Sequence, residues 1–354
     1  MTTPPPEISL IVPLLNEAAE LPGLFASLAA QEGISLEVIL CDGGSSDGSQ
    51  RLSRELATKA SCAVHIITAP RGRGIQMNAG ARIARGGLLL FLHADSRFSR
   101  TDALRVAVST YRDKSPEAAG VVAARFRLRF RRQDPLPSLA YHFFESKARL
   151  NRADCIRGDQ AYLISLSDFE QLGRFDEALP FLEDVRLAEL VTKRGQWLLL
   201  PADISTSARR FEQEGFYERQ VVNVIIINAV ATGWDELLQA MPELYRHNKT
   251  NGRLKLFPLL DGVRRLIEGH DREWQRSFWR STGRHVASNA WQLFFWLDVR
   301  RSFRSGRGPD EVKPRWLDFY EQHLRPCFES LPAAMLAEWL TRAWFRRLLK
   351  RPGQ

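Results

Sequence analysis

Three short acidic elements lie in order along the 354 residues: Asp42 in Cys-Asp-Gly-Gly-Ser-Ser-Asp-Gly at 41–48, Asp95 in Phe-Leu-His-Ala-Asp at 91–95, and Glu183 with Asp184 in Phe-Leu-Glu-Asp at 181–184. A carboxylate at a strand end can accept hydrogen bonds from a base or ribose. It can equally hold Mg2+ or Mn2+, which take oxygen ligands and leave positions open for phosphate oxygens. A carboxylate projecting from a helix start into a cleft can take a proton. The order and spacing suggest an enzyme that gathers a nucleotide, a divalent metal and a nucleophilic acceptor at one sheet edge. Each motif also has a plainer reading. Asp42 can simply cap a turn, Asp95 can cap a helix beside a satisfied histidine, and acidic residues in a first helical turn answer the helix dipole.

The elements that must position these residues are legible. Apolar runs at 8–12, 37–41, 64–68 and 88–92 begin 24 to 29 residues apart, the size of a βα unit in a parallel sheet. Helices fall between them. Asn16 can cap one that carries Leu21, Leu24, Phe25 and Leu28 on a single face, Ser46 or Asp47 can cap the next, and a third spans about 74–84. Asp42 and Asp95 then end strands, where open sheets of this kind bind ligands. Residues 124–132 alternate strictly, Phe126, Leu128 and Phe130 against Arg125, Arg127, Arg129 and Arg131, which predicts a half-buried strand. Its arginine face is either solvated or turned toward an acidic acceptor. Further strands are expected at 161–164 and 197–200, with a helix over 183–193 that stops near Gly195.

The motifs resemble the family 2 glycosyltransferases with the GT-A (nucleotide-diphospho-sugar transferase) fold. The residues that carry the resemblance are Pro13, Asn16 and Glu17 in Val-Pro-Leu-Leu-Asn-Glu, and the motifs around Asp42, Asp95 and Asp184. Arg71 to Ala81, Gly158 to Ala161 and Ser207 to Glu212 are similar to the arsenosugar-biosynthesis-associated subgroup. The likeness runs over about residues 8–245. It implies an α/β fold with a mainly parallel, Rossmann-like sheet and helices on both faces. It also implies transfer of a hexosyl or pentosyl group from a nucleoside-diphosphate sugar. By resemblance Pro13, Asn16, Glu17 and Asp42 line the nucleotide pocket, and Arg71 and Asn78 border the nucleotide and its phosphates. Asp95 ligates Mg2+ or Mn2+. Asp184, with Glu183 beside it, deprotonates the acceptor hydroxyl. Gly158, Asp159 and Gln160 form the acceptor side, and Arg209 or Arg210, on a loop, neutralises the leaving diphosphate. One catalytic carboxylate and no second nucleophile imply single displacement with inversion. The family's metal motif reads Asp-x-Asp, and here its first position is His93. The metal then binds through Asp95 and the diphosphate alone, or His93 serves as a ligand or donor beside it. Ser96 stands where many relatives carry another acid.

Rival chemistries lack their marks. A sugar-phosphate nucleotidyltransferase carries its Gly-rich loop with arginine after the first strand, whereas here Arg-Gly-Arg-Gly at 71–74 follows the third. A dinucleotide dehydrogenase needs GxGxxG after the first strand, and that is absent. A catalytically silent nucleotide-binding or scaffold protein stays open because of His93.

Composition separates the chain into two regions, a catalytic domain over 1–250 and an appended helical region over 251–354. The net charge of +9 resides in the latter, with 20 Lys and Arg against 11 Asp and Glu; it also holds seven of the nine tryptophans. There Leu336, Trp339, Leu340, Ala343 and Trp344 share one side of a helix over 333–350, with Arg342, Arg346, Arg347 and Lys350 gathered at its end. Such a unit can lie on an anionic lipid surface, pack on the catalytic domain, or form a homo-oligomer. No nucleic-acid module is visible. The expected partners are the donor sugar nucleotide and an acceptor that is a small metabolite or a lipid-borne hydroxyl or carboxylate. The opening residues lack a basic stretch followed by an apolar one, so no secretory signal is expected. No apolar run reaches the ~20 residues that cross a bilayer. A cytoplasmic protein, at most peripheral on the membrane face, is the expectation. Four scattered cysteines (Cys41, Cys62, Cys155, Cys327) with no CxxC pair argue against disulfides and structural zinc.

Overall fold

The structure, a computed structural model, describes residues 4–115, 119–247, 249–250 and 252–350. Residue 251, the expected start of the appended region, lies outside the described residues. Internal contacts divide the chain into two units, Met1–Arg131 with Phe144–Ser207, and Arg132–Phe143 with Ala208–Gln354.

The first unit is an eight-stranded sheet in the order β3-β2-β1-β4-β7-β6-β8-β5. Strands β1 (Ile8–Leu14), β2 (Leu36–Asp42), β3 (Ala63–Thr68) and β4 (Leu88–Phe91) run parallel, with Leu14 level with Asp42 and Ile11 level with Phe91. β7 (Tyr162–Ser165) is antiparallel to both β4 and β6 (Val121–Arg131). β8 (Gly195–Ser207) runs parallel to β6, and β5 (Arg97–Phe98) pairs antiparallel at its edge.

The side chains sort by the period of two. Leu10, Val12, Val38, Leu40, Leu88 and Leu90 face helices α1 (Leu21–Ala29) and α4 (Ala103–Lys114). Ile11, Ile39, Cys41, Leu89 and Phe91 face α3 (Arg73–Ile83), α6 (Leu166–Gln171) and α7 (Glu183–Arg194). Helix α2 (Ser49–Ala57) follows β2, and α5 (Leu139–Lys147) follows β6. With both sheet faces covered, β1, β2 and β4 read as largely apolar runs, interrupted by the buried Ser9–Glu37 pair.

Three local expectations are corrected. Asn16 caps no helix, since α1 starts at Leu21 without a side-chain cap. α2 starts after Gly48, whose φ of +89° suits a residue with no Cβ; Asp47 Oδ1 still accepts from Ser49 N at 3.0 Å. Arg125 is neither solvated nor turned to a ligand: it is 0% exposed, because β6 is an interior strand. Its Nη1 donates to Ala148 O at 2.5 Å and Gln160 Oε1 at 3.0 Å, and its Nη2 to Leu150 O at 2.8 Å.

The second unit is helical beyond a two-residue β9–β10 pair (Lys249–Thr250, Arg253–Leu254). Its helices are α8 (Arg209–Glu214), α9 (Phe216–Thr232), α10 (Asp235–His247), α11 (Leu256–Gly269), α12 (Arg272–Ser288), α13 (Trp291–Arg304), α14 (Arg315–Phe319), α15 (Arg325–Phe328) and α16 (Leu331–Leu349). The tryptophans and phenylalanines of 274–296 lie on α12 and α13. Asp298 accepts the N–H groups of Trp316 and Leu317 at 3.0 Å and so caps α14. Among the described residues no helix is long and apolar enough to cross a membrane.

Candidate active site

The carboxyl edge of the parallel strands gathers most of the residues singled out by sequence. The loops after β1 and β2 are tied together by short polar side chains. Asn16, held at φ +57°, donates from its N–H to Ser45 Oγ and accepts Ser46 N on its Oδ1 at 2.8 Å. Glu17 N reaches Ser49 Oγ and Ala18 N reaches Asp47 Oδ2. The serines of the 41–48 motif thus serve to lock one loop on the other. Asp42 is buried and accepts Gly44 N, Ser45 N and Gln50 Nε2 at 3.0, 3.1 and 2.6 Å. Burial alone would push its carboxyl up, but those donors outweigh burial and hold it below the ordinary value. Pro13 is half-buried beside it.

Helix α3 supplies residues whose roles spacing did not reveal. Gln76 is buried and its Nε2 bridges Leu14 O and Cys41 O at 2.8 and 2.6 Å, joining the ends of β1 and β2. Gly43 packs tightly on this amide: a Cβ there would stand 3.0 Å from it and press on the bridge. Asn78 is engaged by the protein itself. Its Nδ2 donates to Phe175 O and Glu177 Oε1, and its Oδ1 accepts Phe175 N, so it pins the loop before α7. Arg71 is exposed.

Arg73, which the sequence reading passed over, stands at the centre of the charges. Its Nη1 lies 3.4 Å from Glu183 Oε1. Burial opposes its charge, yet Glu183, Asp184, Asp159 and Asp95 together hold its guanidinium above the ordinary value. Asp184, buried, accepts Gly158 N on Oδ2 at 2.7 Å. Asp159 is pushed up to about 7 by burial first and then by the charges of Asp184 and Asp95, against the pull of Arg157 and Arg73. Its Oδ1 and the Tyr162 hydroxyl are shielded from solvent without a hydrogen-bond partner. Such orphaned polar atoms mark a place where a ligand can satisfy them. Gln160 belongs elsewhere: it is buried, receives Arg125, and donates to Cys155 O at 2.8 Å, so of the 158–160 motif only Gly158 and Asp159 join the cluster.

Asp95 does not end a strand: it lies half-exposed in the turn four residues past β4, its Oδ2 held by Thr206 Oγ1 at 3.1 Å and Ser207 N at 3.2 Å. The 207–212 motif therefore touches the site through Ser207. Arg209 and Arg210 are not on a loop but open α8 in the second unit, Arg210 exposed. Among the described residues no three His, Cys, Asp or Glu side chains converge as a metal cage. The donor set fits only a cation that arrives with other oxygens, with Asp95 as its protein carboxylate and His93 two residues away, half-buried.

Strain clusters at the same edge. Among the described residues four non-glycines have positive φ, and three of them flank the site: Asn16, Ala161 at +51° and Leu182 at +68°. Leu182 in the left-handed region directly precedes Glu183, a cost on the order of 1 kcal/mol that a packed scaffold sustains where geometry matters.

Residues 9–167 match the sequence model of the family "Glycosyl transferase family 2". A PGL/p-HBAD biosynthesis glycosyltransferase of Mycobacterium tuberculosis is 38% identical over 105 residues, covering 29% of this chain and 41% of the relative. An undecaprenyl-phosphate 4-deoxy-4-formamido-L-arabinose transferase of Aeromonas hydrophila is 36% identical over 93 residues, 25% of this chain and 28% of the relative. The chain thus spans less than half the length of these curated relatives. In structure, a mannosyltransferase from Pyrobaculum calidifontis in complex with GDP-Man and Mn2+ superposes with a TM-score of 0.50 at 15% identity, over 97% of this chain and 88% of that one. Residues 9–167 constitute a glycosyltransferase family 2 domain, built on a GT-A sheet.

Proposed function

We propose that the chain transfers a glycosyl group from a nucleoside-diphosphate sugar to a hydroxyl or carboxyl acceptor, with inversion. The observation that carries this reading is the cluster at the carboxyl edge of the sheet in which Gly158 N holds Asp184 Oδ2 at 2.7 Å and Arg73 lies 3.4 Å from the adjacent Glu183. Asp184 takes the acceptor proton as the acceptor oxygen attacks the anomeric carbon, and the bond to the β-phosphate breaks on the opposite face. The nucleoside diphosphate leaves with that electron pair. One carboxylate acting as base, with no second nucleophile, inverts the anomeric centre.

Asp42 and the interlocked loops carrying Pro13, Asn16 and Glu17 receive the nucleoside, with Arg71 at the rim. Asn78 and Gln160 act through the backbone they hold. Glu183, bound to Arg73, sets the position of Asp184, and Gly158 with Asp159 faces the acceptor. Arg209 or Arg210 answers the charge of the leaving diphosphate. A Mg2+ or Mn2+ ion held by Asp95, with His93 beside it, would offset charge developing on that diphosphate. A fold neighbour solved with GDP-Man and Mn2+, and a relative whose name specifies undecaprenyl phosphate, support the donor class and a lipid-borne acceptor. The motifs at 71–81, 158–161 and 207–212 support a place in the arsenosugar-biosynthesis-associated subgroup.

The test is calorimetric titration of nucleoside diphosphates and sugar nucleotides with Mg2+, Mn2+ or EDTA, followed by transfer assays on a panel of acceptors. Metal-dependent binding of one nucleotide and its consumption with an acceptor supports the reading. Binding without turnover on any acceptor favours the silent nucleotide-binding protein that His93 brings to mind.

A further inference from the structure

Helix α16 wears its large apolar residues on the outside. Its inner face is built from small ones: Ala334 and Ala337 cluster with Ala287 of α12. Gly283 of α12 lies so close that a Cβ there would stand 2.4 Å from Ala334 O. Phe345 closes the inner face against Trp279, ring centroids 6.0 Å apart. Small residues let the two backbones approach and leave no room for bulk between them. Leu331, Met335, Leu336, Trp339 and Leu340 consequently point outward and are 51–71% exposed. The sequence pattern placed Leu336, Trp339 and Leu340 on one side, and that side is open rather than buried.

At about 100° per residue the five span one half of the helix circumference. Arg346, Arg347 and Lys350, all exposed, continue the same arc through the last turns. The helix's one acid, Glu338, lies off that arc and is paired with Arg342 at 2.8 Å. Three turns of Leu, Met and Trp therefore run into a turn of three cations, with no carboxylate on the arc.

We propose that this arc of α16 docks the chain on an anionic lipid bilayer. The apolar turns enter the headgroup–acyl boundary with Trp339 at the interface, and Arg346, Arg347 and Lys350 sit among lipid phosphates. Charge selects the lipid surface over a second copy of the chain. Pairing α16 with itself in parallel would oppose the cations. Pairing it antiparallel would lay them on Leu331 and Met335, and neither arrangement offers them an anion. A bilayer containing anionic lipid supplies both the apolar layer and the negative surface. The inference stands apart from the chemistry at the sheet edge.

The experiment is co-sedimentation of the full chain with phosphatidylcholine vesicles, with and without about a third phosphatidylglycerol. Binding to the anionic vesicles, weakened by salt and accompanied by a blue shift of tryptophan emission, is expected. Replacing Arg346, Arg347 and Lys350 by Gln should lower the partition coefficient ~100-fold, at about fivefold per charge. A Leu336→Ser, Trp339→Ser, Leu340→Ser variant should not bind, while melting as the parent does because these side chains are exposed. The proposal is overturned if the parent ignores anionic vesicles, or if the serine variant binds them unchanged. It is also overturned if the parent sediments as a dimer that the serine variant splits, which would make the arc a contact between copies.

Discussion

The backbone N–H of Gly158 donates to Oδ2 of Asp184 at 2.7 Å, and a Cβ at position 158 would lie 3.2 Å from that same oxygen. The turn before β7 therefore aims the carboxylate in the first turn of α7, and any larger residue at 158 would have to push that carboxylate aside. Asp184→Asn preserves shape but takes no proton, so transfer should fall about 10²–10⁴-fold while nucleoside diphosphate binding stays within about threefold. Nucleotide release in a transfer assay, set beside calorimetry, measures both. A variant keeping a tenth of the parent rate would remove Asp184 as the base.

Arg73 is the cation that lets four acids share this edge. Its side chain is 41% exposed, so solvent screens much of the interaction. On that discount, Arg73→Met should cost on the order of 1–2 kcal/mol at pH 8, seen as a lower Tm. The deficit should shrink at pH 5. Burial pushes both Asp159 and Glu183 up, so as pH falls they take up protons and need less compensation. An equal loss at both pH values would mean that Arg73 acts by packing alone.

How much of this site could be read beforehand differs residue by residue. The strands leading to Asp42 and Asp95 are plain because both sheet faces are covered, which writes β1, β2 and β4 as largely apolar runs, Ser9 and Glu37 aside. The arginine-rich stretch at 71–74 was visible too, but its two arginines are equivalent as letters. Only the fold turns Arg73 toward the carboxylates and leaves Arg71 in water. The family resemblance puts Asn78 beside the nucleotide and Gln160 on the acceptor side. Their amides instead satisfy buried backbone and Arg125, a demand set by parts of the chain up to 97 residues away. The small inner face of α16 was hidden for a related reason: periodicity reports which residues share a side, not which side meets a neighbour.

Asp159 carries a cost that pH should reveal. Its carboxyl ordinarily titrates at 3.8 and is held at about 7 in the folded chain, by burial and then by the charge of Asp184. The folded state therefore keeps a proton that the unfolded chain has released, and stability declines as pH rises from about 4 to about 7. Above that window the cost is complete, and below it there is none. In EDTA, Asp159→Asn should raise Tm at pH 8, by a few degrees for a gain on the order of 1–2 kcal/mol, and leave Tm unchanged at pH 4. A lower Tm at pH 8 would contradict the assignment.

Arg125 makes the opposite case, a buried cation whose hydrogen bonds the interior needs. It is 0% exposed, and burial lowers its guanidinium to about 10, still charged at neutral pH. Desolvating that charge is repaid by Ala148 O, Leu150 O and Gln160 Oε1, all within 3.0 Å. Arg125→Met keeps the volume and leaves two carbonyls and an amide oxygen buried without donors, a loss of about 3–5 kcal/mol. Gln160→Leu, which removes one of three acceptors and leaves the cation two, should cost less, about 1–2 kcal/mol. The double variant should cost less than the sum, because each change removes the group the other would strand. Urea unfolding of the four proteins measures the cycle. Additive losses would show that the two side chains do not depend on one another.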